Sequence, residues 1–171
     1  IPLRGSRNGA KGQEFDGGYD ITSVKMVSGK GRKSTSVDLT YHIIDTRMQI
    51  DLPKALNAKG GQITLKIDYS FISPDYGSDR MGILATENGN LYTVAQWYPR
   101  MCVYDDIYGW NTLPYLGAGE FYLEYGDFDM AITVPADHMV VASGELLNPS
   151  DVYTKTQLER WKAAEQSDTT V

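Results

Sequence analysis

Two histidines, one cysteine and a scatter of carboxylates are the groups from which this chain would have to build a catalytic site. Neither His42 nor His138 stands in His-Glu-x-x-His or any other paired ligand spacing, so these residues encode no metal helix. Each reads as a surface or packing histidine. Cys102 would need a base brought close by the fold, and nothing in its neighbourhood supplies one. Gly117-x-Gly119 lacks the third glycine and the strand-to-helix setting of a dinucleotide loop, and Gly29-x-Gly31-x-Lys33-Ser34 has the wrong spacing for a phosphate loop. Asp105-Asp106 and Asp127-x-Asp129 offer oxygens to a hard cation, but adjacent acids are common on a solvated surface, and that is the reading taken here. An autonomous hydrolase has no recognisable catalytic set here.

Binding chemistry is better represented. Eleven of the nineteen aromatic residues fall within Leu91–Phe128, among them Gln96-Trp97-Tyr98-Pro99-Arg100, Tyr104-Asp105-Asp106 and Gly109-Trp110-Asn111. Trp97, Tyr98 and Pro99 together make a stiff amphipathic wall. A bidentate pair between Arg100 and Asp105 or Asp106 would hold the loop in place. Two readings stay open from the residues alone. The aromatics fill the core of a β domain, or they form an exposed wall.

The elements that must position this stretch are strands. Ile63, Leu65, Ile67, Tyr69 and Phe71 alternate with Thr64, Lys66, Asp68 and Ser70, which puts one row on a core and the other in water. Met48–Leu52, Phe121–Tyr125 and Phe128–Val134 alternate in the same way. Weaker candidates are Tyr19–Val27, Ser36–Ile44, Leu91–Trp97 and Met139–Ser143. Ser28-Gly29-Lys30-Gly31, Lys59-Gly60-Gly61, Asn88-Gly89-Asn90 and Pro135-Ala136-Asp137 carry turn chemistry between them. Strands joined by such turns predict a mainly β fold, antiparallel or mixed, as a sandwich-like domain or curved sheet. One helix is expected near the end, where Thr154-Lys155-Thr156-Gln157 matches a capping box and Leu158 and Trp161 share a helical face.

The predicted organisation is a Gly-rich flexible arm over 1–18, a β-rich domain over 19–149, a connecting turn and helix over 150–167, and a strand start over 168–171. The chain has 171 residues, sixteen Lys or Arg and twenty-two Asp or Glu, for a net charge of −6. Between Arg100 and Lys155 there are nine carboxylates and no Lys or Arg. That balance disfavours a nucleic-acid partner, which demands basic side chains. Apolar runs never approach the ~20 residues of a membrane span. A single cysteine excludes an internal disulfide framework and leaves the compartment open, periplasmic or secreted settings included. The absence of an initiator Met and of a leader, together with the β-branched Thr169-Thr170-Val171, predicts a piece of a longer protein.

Taken together, several runs resemble the aminopeptidase N family of zinc metallopeptidases, in particular its Bacteroidetes-type branch. They are Ala95–Asp106, Gly109-Trp110-Asn111, Tyr115-Leu116-Gly117, Gly119–Asp129, Thr133–His138 and Gly144–Pro149, supported by Asp45–Met48 and Leu52-Pro53. The resemblance covers about residues 40–171. It implies a non-catalytic, saddle-like amino-terminal β domain with no metal of its own. The zinc, and the His-Glu-x-x-His helix that binds it, would belong to a catalytic domain that follows.

The same resemblance implies one contribution to peptide binding. The family carries a loop of Gln, an apolar or Cys residue, then Glu or Gln, which binds substrate near its free amino terminus. Gln96 matches the first position and Trp97 the middle one. Tyr98 stands where the family more often has an acid or amide. A phenol cannot neutralise an ammonium, although its ring face offers a cation–π contact of roughly 0.5–2 kcal/mol. Expected partners are therefore the catalytic domain and a peptide substrate, with Arg100 and Asp105 as loop support. The alternative is a free-standing β-sandwich module that presents Trp97, Tyr98 and Trp110 as a flat platform to a carbohydrate or a protein.

Overall fold

The computed structural model describes residues 17–29, 31–75, 80–115 and 121–171. The expected Gly-rich arm lies almost wholly outside them. The chain divides into two compact units, Ile1–Gly126 and Asp127–Val171. The fold is mainly β, every strand pairing is antiparallel, the described strands close no barrel, and one helix of substance lies near the C-terminus.

The first unit is organised on a three-stranded sheet of β1 (Asp20–Ser28), β2 (Thr35–Asp38) and β5 (Thr64–Ser70), in the order β2-β1-β5. The alternation read from Ile63 to Phe71 becomes cross-strand pairing of apolar residues: Val24 opposite Ile67, Met26 opposite Leu65, Ile21 opposite Tyr69. Such pairs stabilise a sheet more than strand propensity does. A register shift between Ile21 and Ser23 marks a bulge at Thr22. Beyond it, the Ser23 hydroxyl donates to Asp68 at 2.7 Å. The Lys66 ammonium (2.8 Å) and that hydroxyl hold the Asp68 carboxyl below its ordinary range.

The turn after β1 depends on Gly29. Its φ is +82°, and a Cβ there would lie 2.7 Å from the Lys33 carbonyl oxygen. Lys30, within the same expected turn, falls outside the described residues.

The remaining strands are short hairpins: β3 (Tyr41–Ile44) with β4 (Arg47–Ile50), β6 (Gly82–Thr86) with β7 (Gly89–Thr93), and β8 (Tyr104–Asp105) with β9 (Gly109–Trp110). Asp45 opens the β3–β4 turn with φ 54°, a left-handed conformation that aspartate tolerates better than most side chains.

Several expected strands differ from what forms. Ser36–Ile44 is two strands in two different sheets. The chain turns at Leu39, whose N–H bonds the Val24 carbonyl at 2.9 Å, while the Thr40 carbonyl takes the Asp51 N–H. Leu91–Trp97 ends as a strand at Thr93. Phe121–Tyr125 makes only an isolated bridge, Leu123 with Cys102. Phe128–Val134 and Met139–Ser143 form no strand. Alternation supplies one apolar face but not a neighbour to hydrogen-bond, and without a paired neighbour an extended segment is not a strand. β6 has no clear alternation and is recruited by its hairpin partner across the Glu87-Asn88 turn.

The second unit, described by itself, contains α1 (Pro149–Val152) and α2 (Lys155–Ala164). The expected capping box is present. Thr154 Oγ1 accepts from the Gln157 N–H at 3.3 Å, and the Gln157 side-chain oxygen accepts from the Thr154 N–H at 2.9 Å. Leu158 and Trp161 are half-buried on one face, and the Trp161 ring lies 6.0 Å from that of Tyr153.

Among the described residues, the buried hydrophobic side chains are Val24 (3% exposed) and Leu39 (9%). They are joined through the backbone bond between them. Leu39→Ala is therefore expected to lower unfolding free energy by about 2 kcal/mol, the low end for a buried leucine. Leu147→Ala, at a side chain 78% exposed, should change it by less than about 0.5 kcal/mol. Urea denaturation of the two variants checks the contrast.

Candidate functional site

Beyond β7 the backbone leaves the strand and enters the segment singled out by its aromatic composition. Gln96 adopts φ 53°. For a non-glycine residue the left-handed region costs on the order of 1 kcal/mol, so surrounding contacts must hold it. Two tyrosines do so. The Tyr19 hydroxyl donates to the Gln96 carbonyl at 3.0 Å, and the Tyr69 hydroxyl donates to the Trp97 carbonyl at 3.0 Å.

Both tyrosines belong to the main sheet. Tyr19 immediately precedes β1, Tyr69 lies in β5, and their rings meet edge-on at 5.1 Å. Tyr19 also meets Phe71 edge-on at 5.7 Å. Burial pushes both phenols above their ordinary range, with each other's proximity adding to the shift at Tyr19. They therefore remain protonated donors throughout the physiological range. The loop's shape is imposed by the sheet.

The Gln96 side chain is exposed, and its oxygen accepts from the Arg80 guanidinium at 3.1 Å. Arg80 in turn lies over the Phe121 ring, 5.1 Å from its centre. With its oxygen engaged, Gln96 offers its NH2 group outward. An incoming ligand therefore meets a hydrogen-bond donor beside a guanidinium. Trp97 and Tyr98 are half-buried and pack edge to face at 5.2 Å with an interplanar angle of 79°. Tyr104 and Trp110 make a second edge-on pair at 5.2 Å and 71°. Neither pair is coplanar.

Asp105 holds a different loop. Its Oδ1 accepts from the N–H groups of Ile107 (2.9 Å) and Tyr108 (2.7 Å), and Oδ2 accepts from the Tyr122 hydroxyl at 3.0 Å. These bonds close the β8–β9 turn, where Gly109 takes φ 73°. The backbone N–H of Tyr108 is the largest influence holding the Asp105 carboxyl below its ordinary range, and the carboxylate raises the Tyr122 phenol in return. The expected Arg100–Asp105 pair is not formed, because both carboxylate oxygens are taken up locally. Asp106 and Arg100 are exposed, and no ion pair joins them.

His42 lies 3.7 Å from Asp51, and His138 lies 2.8 Å from Asp137. Among the described residues no group of three or more His, Cys, Asp and Glu is placed to hold a metal ion. Tyr19, Tyr69 and Arg80 are the contributors that sequence reasoning missed. Tyr69 was legible as a core-facing strand residue, but no local signal tied its hydroxyl to a loop 28 residues on.

A carboxyl whose folded pKa is depressed adds stability above its unfolded value, about 3.9, and loses it as pH falls through the lower folded value. The β8–β9 loop should accordingly stay ordered at pH 5 and above and loosen as pH drops below about 4. The Ile107 and Tyr108 amide shifts read this directly, and Asp105→Asn should abolish the acid transition in both. No family model, no curated protein and no solved structure matches the chain.

Proposed function

We propose that this chain is the non-catalytic amino-terminal β domain of an aminopeptidase N-like zinc metallopeptidase, and that its Gln96–Tyr98 loop lines the peptide cleft. The observation that carries the reading is the conformation of Gln96. A left-handed, non-glycine residue held at its carbonyl by Tyr19, with Tyr69 holding the next carbonyl, is stored strain of the kind found at binding sites. It falls on the residue that the family resemblance assigns to substrate. The reading also accords with the lack of any paired-histidine motif in this sequence.

The geometry refines the role. With its oxygen on Arg80, Gln96 donates through its NH2 group to a carbonyl of the peptide's first residues rather than accepting from the terminal ammonium. Tyr98 presents a ring to that ammonium in place of the family's acid. Trp97 and Tyr98 wall the cleft and keep water from it, which fixes orientation before reaction. Bond breaking, and the zinc that drives it, belongs to the catalytic domain of the same polypeptide. The edge-on packing of the rings gives the carbohydrate-platform alternative no comparable support.

The gene beyond Val171 should encode a His-Glu-x-x-His segment within a few hundred residues, and a stop codon there would defeat the reading. In the complete enzyme, Gln96→Ala should lower kcat/KM for short peptides about tenfold, the worth of one well-placed hydrogen bond. Unchanged peptide kinetics would remove Gln96 from the site.

A further inference from the structure

At the end of the β6–β7 hairpin the chain reverses through Glu87 and Asn88 and re-enters a strand at Gly89. An asparagine followed by glycine is open to attack by its own backbone. The nucleophile is the peptide nitrogen of the following residue, and its target is the carboxamide carbon, Cγ. A glycine in that following place has no Cβ to crowd the approach. Among the described residues Asn88-Gly89 is the one such pair. Asn57, Asn90 and Asn111 precede Ala58, Leu91 and Thr112, and Asn148 precedes Pro149, which has no N–H. Asn8-Gly9 lies outside the described residues.

The setting of the pair favours the reaction. Asn88 and Gly89 are both exposed, and a Cβ built at Gly89 would meet no atom beyond its chain neighbours within 4 Å. The Asn88 N–H donates to Thr86 Oγ1 at 3.2 Å, but among the described residues nothing binds its carboxamide. The Asn90 carboxamide, in contrast, reaches the Tyr92 hydroxyl at 3.5 Å. The turn itself is lightly held, with the Thr86 hydroxyl donating to the Gly89 carbonyl at 2.7 Å. Among the described residues the hairpin joins no third strand. A two-stranded hairpin is marginal in water, so its closing pair, Thr86 and Gly89, opens more readily than the main sheet.

We infer that Asn88 is a site of self-modification, at which the folded chain converts asparagine to isoaspartate and aspartate without an enzyme. The Gly89 nitrogen gives up its proton and bonds to Asn88 Cγ. The Cγ–Nδ2 bond breaks, and Nδ2 takes up a proton and leaves as ammonia, which closes a five-membered imide. Water then opens the ring. Addition at Cγ restores the ordinary backbone as aspartate, and addition at the main-chain carbonyl carbon leaves the backbone running through Cγ as isoaspartate. Water is the only co-reactant. Both products carry one more negative charge, and isoaspartate lengthens a two-residue turn by one backbone carbon. This goes beyond the function proposed above and depends on no part of it.

The test holds the intact, folded chain in mildly alkaline buffer at body temperature and follows it by peptide mapping. The tryptic fragment Met81–Arg100 carries both Asn88 and Asn90, so the site and its comparator are read in one peptide. Electron-transfer fragmentation locates the change and separates isoaspartate from aspartate. The lower barrier at an uncrowded nitrogen should make Asn88 convert at least about tenfold faster than Asn90. Isoaspartate should be present among the products, and the rate should rise with pH as more of the nitrogen is deprotonated. Asn88→Gln, which would have to close a six-membered imide, should stay unconverted over the same period. Equal rates at Asn88 and Asn90, a product free of isoaspartate, or conversion that appears only after unfolding in urea would each overturn the proposal.

Discussion

Two phenolic hydroxyls hold the segment that carries Gln96, Trp97 and Tyr98. Tyr19 and Tyr69 reach from the main sheet to consecutive carbonyls of the Gln96–Trp97 segment and secure a backbone conformation that glutamine would not choose by itself. Each bond alone is worth about 1 kcal/mol net, similar to the cost of the left-handed residue. Two of them, on neighbouring carbonyls, over-determine the loop. The result is a rigid presentation of Gln96, Trp97 and Tyr98 by a sheet whose own pairing is apolar and cooperative.

The clamp links sheet to site in both directions. Tyr69 takes part in the Ile21 pairing, in the edge-on contact with Tyr19, in the bond to Trp97 and in the lining of an open depression beside β5. A single side chain thus joins sheet register, loop conformation and the shape of the surface beside it. Asp105 plays the corresponding part for the β8–β9 turn, but through local bonds to residues two and three positions ahead. The long-range clamp depends on a formed sheet, whereas the local one is available to the turn itself.

Large apolar side chains on the outer segments remain exposed, Val141 at 90% among them. Many lie in the runs whose alternation suggested strands. Alternation records that a segment has two unlike faces. It says nothing about which neighbour will cover the apolar one. Val24 and Leu39 are buried because a paired strand and a returning turn bring backbone over them, not because they are more apolar than Ile132 or Val141.

Much of the architecture was legible one residue at a time. The period-two run at β5, the Gly29 turn and the Thr154–Gln157 capping box are all local statements, in which each residue's preference is decided by neighbours a few positions away. The absence of a paired-histidine motif is likewise a property of sequence alone. Other features were decided only in three dimensions: the splitting of Ser36–Ile44 between two sheets, and the left-handed Gln96 segment, whose Gln96 and Trp97 carbonyls are held by tyrosines 77 and 28 residues distant respectively. Each depends on which distant group arrives first at a hydrogen-bonding atom. Such competition between partners far apart in the chain leaves no periodic trace, because its outcome is set by the geometry of the assembled sheet.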